Sequence, residues 1–430
     1  MVATGVFIAA AEGVVVTIRN TTVFVLPSSD SATQKLLRFE VLQGADGIAE
    51  TVEDDEDSKS KKKQATQPTP PANRITTIEL FQPQGSKLLA LLLLVDERRL
   101  VHYELNVSAE TLVLQASRSV PRSATCMAVG HLKLPNGETK YAVIVGQKTG
   151  EAVAVPFPDV DRDLKTLLGH TTSMVTHVAV NHNSSLLLTA DRDEKLRVSK
   201  FPNAAIIESY CLGHAASLTK VACSAVTPDL VVSTSMDNTL KLWQMSTGKL
   251  LASETLLPGV EVSLEPLDED AENASDDSGR KAAKSLINVS LAICPKTNIV
   301  AVLVNYQHVR IFEIVAAAGV HTLKEVAIPN EDVQALLANE PCELLFTEDD
   351  ILAVSYKKSP FLELYSISKK ENKRLSPIEI ASAAFNDFRT AAGTIELVDD
   401  EEKALDVLED GLKKKKARTG EWNKKVPGEN

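Results

Sequence analysis

The chain has 430 residues, 44% of them hydrophobic, which is ample for a buried core, while its aromatic content of 4% is low for a β-rich protein. The formal charge of −12 is concentrated in two runs, Glu53 to Asp57 and the acids between Asp268 and Asp277. The rest of the body is close to neutral, so overall acidity says little about partners. Five scattered cysteines (Cys126, Cys211, Cys223, Cys294, Cys342) without CxxC spacing argue against a disulfide framework or a zinc site and for a reducing intracellular compartment. No apolar run of about 18 residues free of charge occurs, so no membrane span is expected.

The first twenty residues lack a basic n-region and are interrupted by Glu12, which favours a strand pair over a signal peptide. Residues 5–27 give β-rich runs around the turn-like Arg19-Asn20-Thr21-Thr22. If the fold is a ring of sheets, this first strand is expected to close it by pairing into the last sheet. From about 44 to 73 the composition turns acidic, then lysine-rich, then proline-rich without apolar periodicity, and reads as a disordered insertion.

Order is expected again from Arg74. ITTIELF, LLALLLLV and RLVHYELN read as three strands with turns at Gln84–Ser86 and Asp96–Arg99, the middle one apolar on both faces. A further unit runs from about Thr111 to Pro156, with hairpins at Leu134–Gly137 and Lys148–Gly150. It contains Gly130-His131, which has no Asp 23 residues further on and is read as a coincidence.

The stretch from Leu164 to Thr247 is a tandem repeat. Gly169-His170 falls on Gly213-His214, Asp193 on Asp237 and Leu196 on Leu240, each pair 44 residues apart. That is the period of a WD repeat, one four-stranded blade of a propeller. In such a blade a His, a Ser or Thr of the second strand, a turn Asp and a Trp join in one hydrogen-bonded chain. His214, Ser233, Asp237 and Trp243 fill the four positions in the second copy; His170, Thr189 and Asp193 fill three in the first, with Ser199 where Trp is expected. Recurrence at the repeat spacing makes these residues structural rather than catalytic or metal-binding.

Strand-like sequence continues to Leu264, and a second exposed insertion follows at about 266–284. Residues 285–315 give three strands again, and HTLKEVAI with residues 341–367 makes a last unit. The expected architecture is therefore all-β: a WD-repeat β-propeller of seven blades over 1–367, followed by a charged tail over 368–430. In the tail Glu401 to Leu412 can form a short helix with Leu405, Leu408 and Leu412 on one face. Lys413 to Arg418 (KKKKAR) reads as a solvated end, a nuclear localisation signal or a nucleic-acid-facing patch.

No Walker A loop, GxGxxG step, GxSxG elbow or HExxH helix is present. His177 and His182, the only histidines close in sequence, flank a predicted strand five residues apart and so point to opposite faces. No catalytic, cofactor-binding or metal-ligating residue is expected.

Residues 189–199, TADRDEKLRVS, with the following IESYCLGH, closely resemble the WD-repeat subunit of the tRNA guanine-N7 methyltransferase. A generic WD repeat would read SGSxDxTIRIWD, so Asp191, Arg192, Glu194 and Lys195 are charges the blade does not require. The missing Trp at Ser199 is shared with that family. The resemblance is strong over about 164–250 and weak elsewhere. It implies a non-catalytic propeller that binds and stabilises a separate catalytic subunit as a heterodimer. That partner would carry S-adenosylmethionine and form N7-methylguanosine in the variable loop of tRNA, with tRNA reached mainly through the complex. It also implies that Arg197, with Arg192 and Lys195 as neighbours, meets an acidic residue of the partner. A nuclear location, with or without a cytoplasmic pool, is expected. A WD scaffold of another assembly (ubiquitin ligase or chromatin complex) and an enzyme built on a propeller remain open alternatives; blade-to-blade repetition of His and Asp argues against the latter.

Overall fold

Short apolar runs broken every six to ten residues by tight turns leave each strand only its sequence neighbours to pair with, and the chain folds into successive antiparallel meanders. The computed structural model describes residues 6–28, 35–42, 73–171, 173–258, 289–317, 319–367, 375–378, 383–395 and 397. Among them are seven four-stranded sheets. Blade 1 holds β1 (Val6–Ala11), β2 (Val14–Arg19), β3 (Thr22–Pro27) and β4 (Leu37–Glu40); blade 2 holds β5 (Ile75–Phe81), β6 (Leu89–Val95), β7 (Arg99–Asn106) and β8 (Thr111–Ser119). Blade 3 holds β9 (Ala124–Lys133), β10 (Thr139–Gln147), β11 (Glu151–Phe157) and β12 (Lys165–Gly169). Blade 4 holds β13 (Val175–Val180), β14 (Leu186–Asp191), β15 (Lys195–Lys200) and β16 (Ile207–Leu212); blade 5 holds β17 (Leu218–Cys223), β18 (Leu230–Ser235), β19 (Thr239–Gln244) and β20 (Lys249–Thr255). Blade 6 holds β21 (Val289–Ile293), β22 (Ile299–Val304), β23 (His308–Ala317) and β24 (Val320–Glu325); blade 7 holds β25 (Pro341–Phe346), β26 (Ile351–Tyr356), β27 (Leu362–Ile367) and β28 (Leu375–Pro377). Two helices complete the described chain, α1 (Asn330–Leu337) and α2 (Ala383–Ala392).

The first strand of each blade lies innermost. β1 lies against β5, β5 against β9, β9 against β13, β13 against β17, β17 against β21, β21 against β25, and β25 returns to β1. The core is consequently divided among the interfaces between blades. Leu91 and Leu93 of β6 pack toward blade 1, whereas Leu92 and Leu94 pack toward blade 3. This explains why β6 is an unbroken apolar run: both of its faces are buried.

The structure corrects three expectations. First, Thr111–Ser119 is the outer strand of blade 2 and Val320–Glu325 the outer strand of blade 6, so neither opens a new unit. Second, β1 does not complete the last blade. It pairs along its whole length with β2, from Val6 opposite Arg19 to Ala11 opposite Val14, because the two-residue turn at Glu12-Gly13 folds it straight back. Side chains close the ring instead. Arg19, only 2% exposed, donates to the carbonyls of Tyr356 (2.9 Å) and Lys357 (3.1 Å) of blade 7, and the Ile8 N–H donates to Glu343 Oε2 at 3.1 Å.

Third, the propeller does not end at residue 367. Strand β28 pairs with β27, and α2 packs Phe385, Phe388 and Ala392 against Phe24 and Leu26 of blade 1 and Leu362 and Leu364 of blade 7. The Phe388 ring meets Phe24 edge-on at 5.2 Å and Phe361 at 6.5 Å. A helix thus covers the seam where the first and last blades meet. The expected insertion at 44–73, apart from Asn73, that at 266–284, the helix over 401–412 and the KKKKAR run lie outside the described residues.

Candidate protein-binding face of blades 4 and 5

In blade 5 the four expected residues form one chain. Trp243 Nε1 donates to Ser233 Oγ (2.8 Å), Ser233 Oγ lies 2.8 Å from His214 Nε2, and His214 Nδ1 lies 2.8 Å from Asp237 Oδ2. An indole N–H can only donate and a carboxylate only accept, so His214 carries its proton on Nδ1 and Nε2 accepts from Ser233. Asp237 also accepts from the N–H groups of Ala215 (2.9 Å) and Thr239 (3.0 Å) and from Thr239 Oγ1 (2.6 Å). Burial works against its charge, but His214, Thr239 and the Ala215 N–H outweigh it and hold the carboxyl down at about 2.

Blade 4 differs in one position from the sequence expectation. His170 Nε2 lies 2.7 Å from Thr189 Oγ1 as expected, but Nδ1 meets Asp191 Oδ2 at 2.9 Å, not Asp193. Thr189 and Asp191 are two residues apart on β14 and so share a face, which brings both within reach of one imidazole ring. Asp191 is 1% exposed and also caps the turn by accepting from the Lys195 N–H at 2.9 Å. Asp193 stands out in that turn, half-buried, with its N–H donating to Ser173 Oγ at 3.1 Å. The fixed 44-residue offset pointed to Asp193; strand alternation counted from Thr189 points to Asp191.

The place of the missing Trp is taken by Arg197. Its Nε donates to Ser199 Oγ (2.9 Å), Nη2 to the Ala204 carbonyl (2.8 Å) and Nη1 to the Gly169 carbonyl (3.4 Å). In blade 5 it is the Trp243 ring that approaches the equivalent Gly213. Arg197 is only 8% exposed, and its donors are consumed within blade 4 and at the end of β12. Arg192 and Lys195 are different: Arg192 is half-buried and Lys195 exposed, and among the described residues neither side chain has a hydrogen-bond or ion-pair partner. Of the three cations expected at an interface, the fold therefore leaves two unpaired.

The innermost strands carry a second polar set. His177, Lys220 and Glu343 occupy equivalent positions, each just past the irregularity that opens its strand, opposite Ala190, Thr234 and Ser355. Burial lifts the Glu79 carboxyl to about 7, with Lys220 offsetting and Glu343 adding to the effect. Burial lowers His177 well below its ordinary value, and Lys220 acts in the same direction. His182 lies in the turn after β13, apart from His177, and among the described residues no group of three His, Cys, Asp or Glu could hold a metal.

These features define the class: a seven-bladed propeller of the WD-repeat type with one complete and one Arg-substituted His–Asp blade. Residues 143–363 match the family model for the tRNA methyltransferase TRM82 WD40 domain, and the chain belongs to that family. Relatives include proteins named tRNA (guanine-N(7)-)-methyltransferase non-catalytic subunit: wuho of Culex quinquefasciatus, 31% identical over 172 residues (40% of each chain). The subunit of the same name from Mus musculus, WDR4, is 38% identical over 109 residues, covering 25% of this chain and 26% of its own. That from Dictyostelium discoideum, wdr4, is 42% identical over 91 residues, covering 21% and 19%. The matched stretches thus span two fifths or less of these relatives' lengths. Among solved structures, a chain in the crystal structure of a mitotic checkpoint complex superposes with a TM-score of 0.53 at 13% identity, over 86% of this chain and 91% of its own, which establishes the fold alone.

Proposed function

We propose that this chain is the non-catalytic subunit of a tRNA guanine-N7 methyltransferase. It acts as a rigid scaffold that binds and stabilises a catalytic partner in a heterodimer. The partner holds S-adenosylmethionine and forms N7-methylguanosine in the variable loop of tRNA; tRNA engages mainly through the complex, and the propeller itself takes no cofactor. A nuclear location belongs to the same reading. The observation that carries it is the family match over residues 143–363, which contains the TADRDEKLRVS turn with its two unpaired cations.

Arg192 and Lys195 project from the β14–β15 turn, where a partner carboxylate can take up their free donors. Arg197 supports this turn from within, through Gly169, Ser199 and Ala204, and its part in the interface is to hold the blade edge that presents the other two. The test is affinity purification of the full chain from its native cell. A methyltransferase that uses S-adenosylmethionine to modify guanine N7 in tRNA is expected to copurify. Recovery of a ubiquitin ligase or chromatin assembly in its place, with no such enzyme, would overturn the proposal.

A further inference from the structure

We infer that Lys220 is a charge clasp across the central channel. From blade 5 its ammonium balances two carboxylates, Glu79 and Glu343, that flank the first strand of the ring, and it keeps the ring closed once both are ionised. Closure of the propeller thereby answers to pH.

The seven innermost strands surround the channel and carry few titratable groups. β1 (VFIAAA) and β21 (VSLAI) have none. β5 contributes Glu79, β13 His177, and β17 Lys220 and Cys223; β25 contributes Cys342 and Glu343, and β9 Cys126, His131 and Lys133. Cys126, His177, Lys220 and Glu343 each stand just past the irregularity that opens their strand, so they ring the channel at one level. Glu79 lies two positions beyond the corresponding Thr77, on the same face of its strand. His131 is at the other end of β9, about 16 Å past Cys126 at the rise of a strand, with its Nδ1 2.8 Å from Ser184 Oγ.

Most of the groups at the Lys220 level are neutral. Burial pushes the thiols of Cys126 up to about 11 and of Cys223 and Cys342 up to about 12. Burial, with Lys220 acting the same way, keeps His177 unprotonated. Two carboxylates then face one ammonium.

The carboxylates sit where the ring closes. β1 lies between β25 and β5. From one side Glu343 Oε2 accepts the Ile8 N–H at 3.1 Å, and on the other stands Glu79. β1 brings no charge of its own, so two like charges flank an apolar strand. Among the described residues neither the Glu79 carboxyl nor the Lys220 ammonium has a hydrogen bond or ion pair. Lys220 therefore acts on both carboxylates through the field across the channel, which low-dielectric walls focus, and is captured by neither. Burial raises both carboxyls, Lys220 opposes the rise in each, and Glu343 adds to that of Glu79. A folded value above the unfolded one gives stability that is full at low pH and lost as the pH rises through the folded value, about 7 for Glu79. Without Lys220 both carboxyls rise further and the loss grows.

The test follows thermal unfolding of the full chain at pH 5 and pH 8 in wild type, Lys220→Met, Lys220→Arg and Glu79→Gln/Lys220→Met. Lys220→Met is expected to widen the drop in melting temperature between the two pH values by about 2 °C or more, and Lys220→Arg to keep the wild-type drop. The double variant should remove most of the widening. Hydrogen exchange at the Ile8 amide, corrected for its intrinsic rate, is expected to quicken on the order of tenfold in Lys220→Met at pH 8 and little at pH 5. A drop in Lys220→Met equal to that of wild type overturns the clasp, as does Ile8 exchange that changes alike at both pH values. A Lys220→Met chain that fails to fold at pH 5 as well as at pH 8 makes Lys220 a packing residue and also overturns it; one that folds at pH 5 alone supports it.

Discussion

Arg197 donates from Nε to the Oγ of Ser199, two residues along the same strand, and so occupies the ground that Trp243 holds in the next blade. One side chain satisfies three acceptors in a blade that lacks its aromatic anchor. Arg197→Glu is expected to leave those acceptors buried beside a new charge and to cost on the order of 3 kcal/mol. Urea unfolding of the free chain measures it. Arg192→Glu and Lys195→Glu should shift that unfolding by less than about 0.5 kcal/mol, since surface charges away from such networks rarely matter more.

Asp191 and Asp193 separate the two duties of the turn. Asp191→Asn removes the charged acceptor of the buried His170 and is expected to cost about 2 kcal/mol, and Asp193→Asn about 0.5 kcal/mol or less. Equal losses in thermal unfolding would mean that His170 relies on both.

Acid and base should act on different groups. His102 is 2% exposed, and burial lowers it to about 4, with no protein partner for either ring nitrogen among the described residues. Its folded value lies below the unfolded one of about 6.5, so the unfolded chain binds more protons and stability is lost as the pH falls from about 6.5 through 4. His102→Leu is expected to flatten the stability curve in that window. Glu79 has the opposite sign: its value of about 7 lies above the unfolded one, so its contribution is full at low pH and lost as the pH rises through 7. Glu79→Gln should therefore raise the melting temperature at pH 8 more than at pH 5.

One aromatic side chain of α2 sits at the centre of the cover over the seam between first and last blades. Phe388 is fully buried between Phe24 and Phe361, and Phe388→Ala is expected to cost about 3–4 kcal/mol. Calorimetry of the variant against wild type checks this, with Val320→Ala, an exposed site, as the control.

Blades 4 and 5 were legible in the sequence because Gly-His and a Ser or Thr of the second strand recur at the repeat spacing wherever that network is built. The remaining blades were legible only as strands, since their interfaces ask for nothing beyond apolar residues of fitting size. The strand-to-blade assignment slipped at Thr111–Ser119 and Val320–Glu325 for that reason: an outer strand, half exposed, carries little pattern of its own. Asp191 was missed because a fixed repeat offset was followed across a turn where the two blades place their carboxylates two residues apart. Arg197 was read as a partner-binding charge because a guanidinium replacing an indole leaves no trace in composition. The closing helix was invisible as such, since Ala383–Ala392 shows an apolar face but nothing that says which seam it covers.

Every blade is a contiguous meander, so six of them can be finished, each against its predecessor, before the last is made. The piece that covers the seam, α2, follows the final strand in the chain. During synthesis the seam therefore stays uncovered until residue 392 has left the ribosome, with Phe24 and Leu362 lacking the helix that buries them. A premature stop just before Ala383 would leave all seven blades but bare the seam between the first and the last, an apolar edge for chaperones and proteases to find.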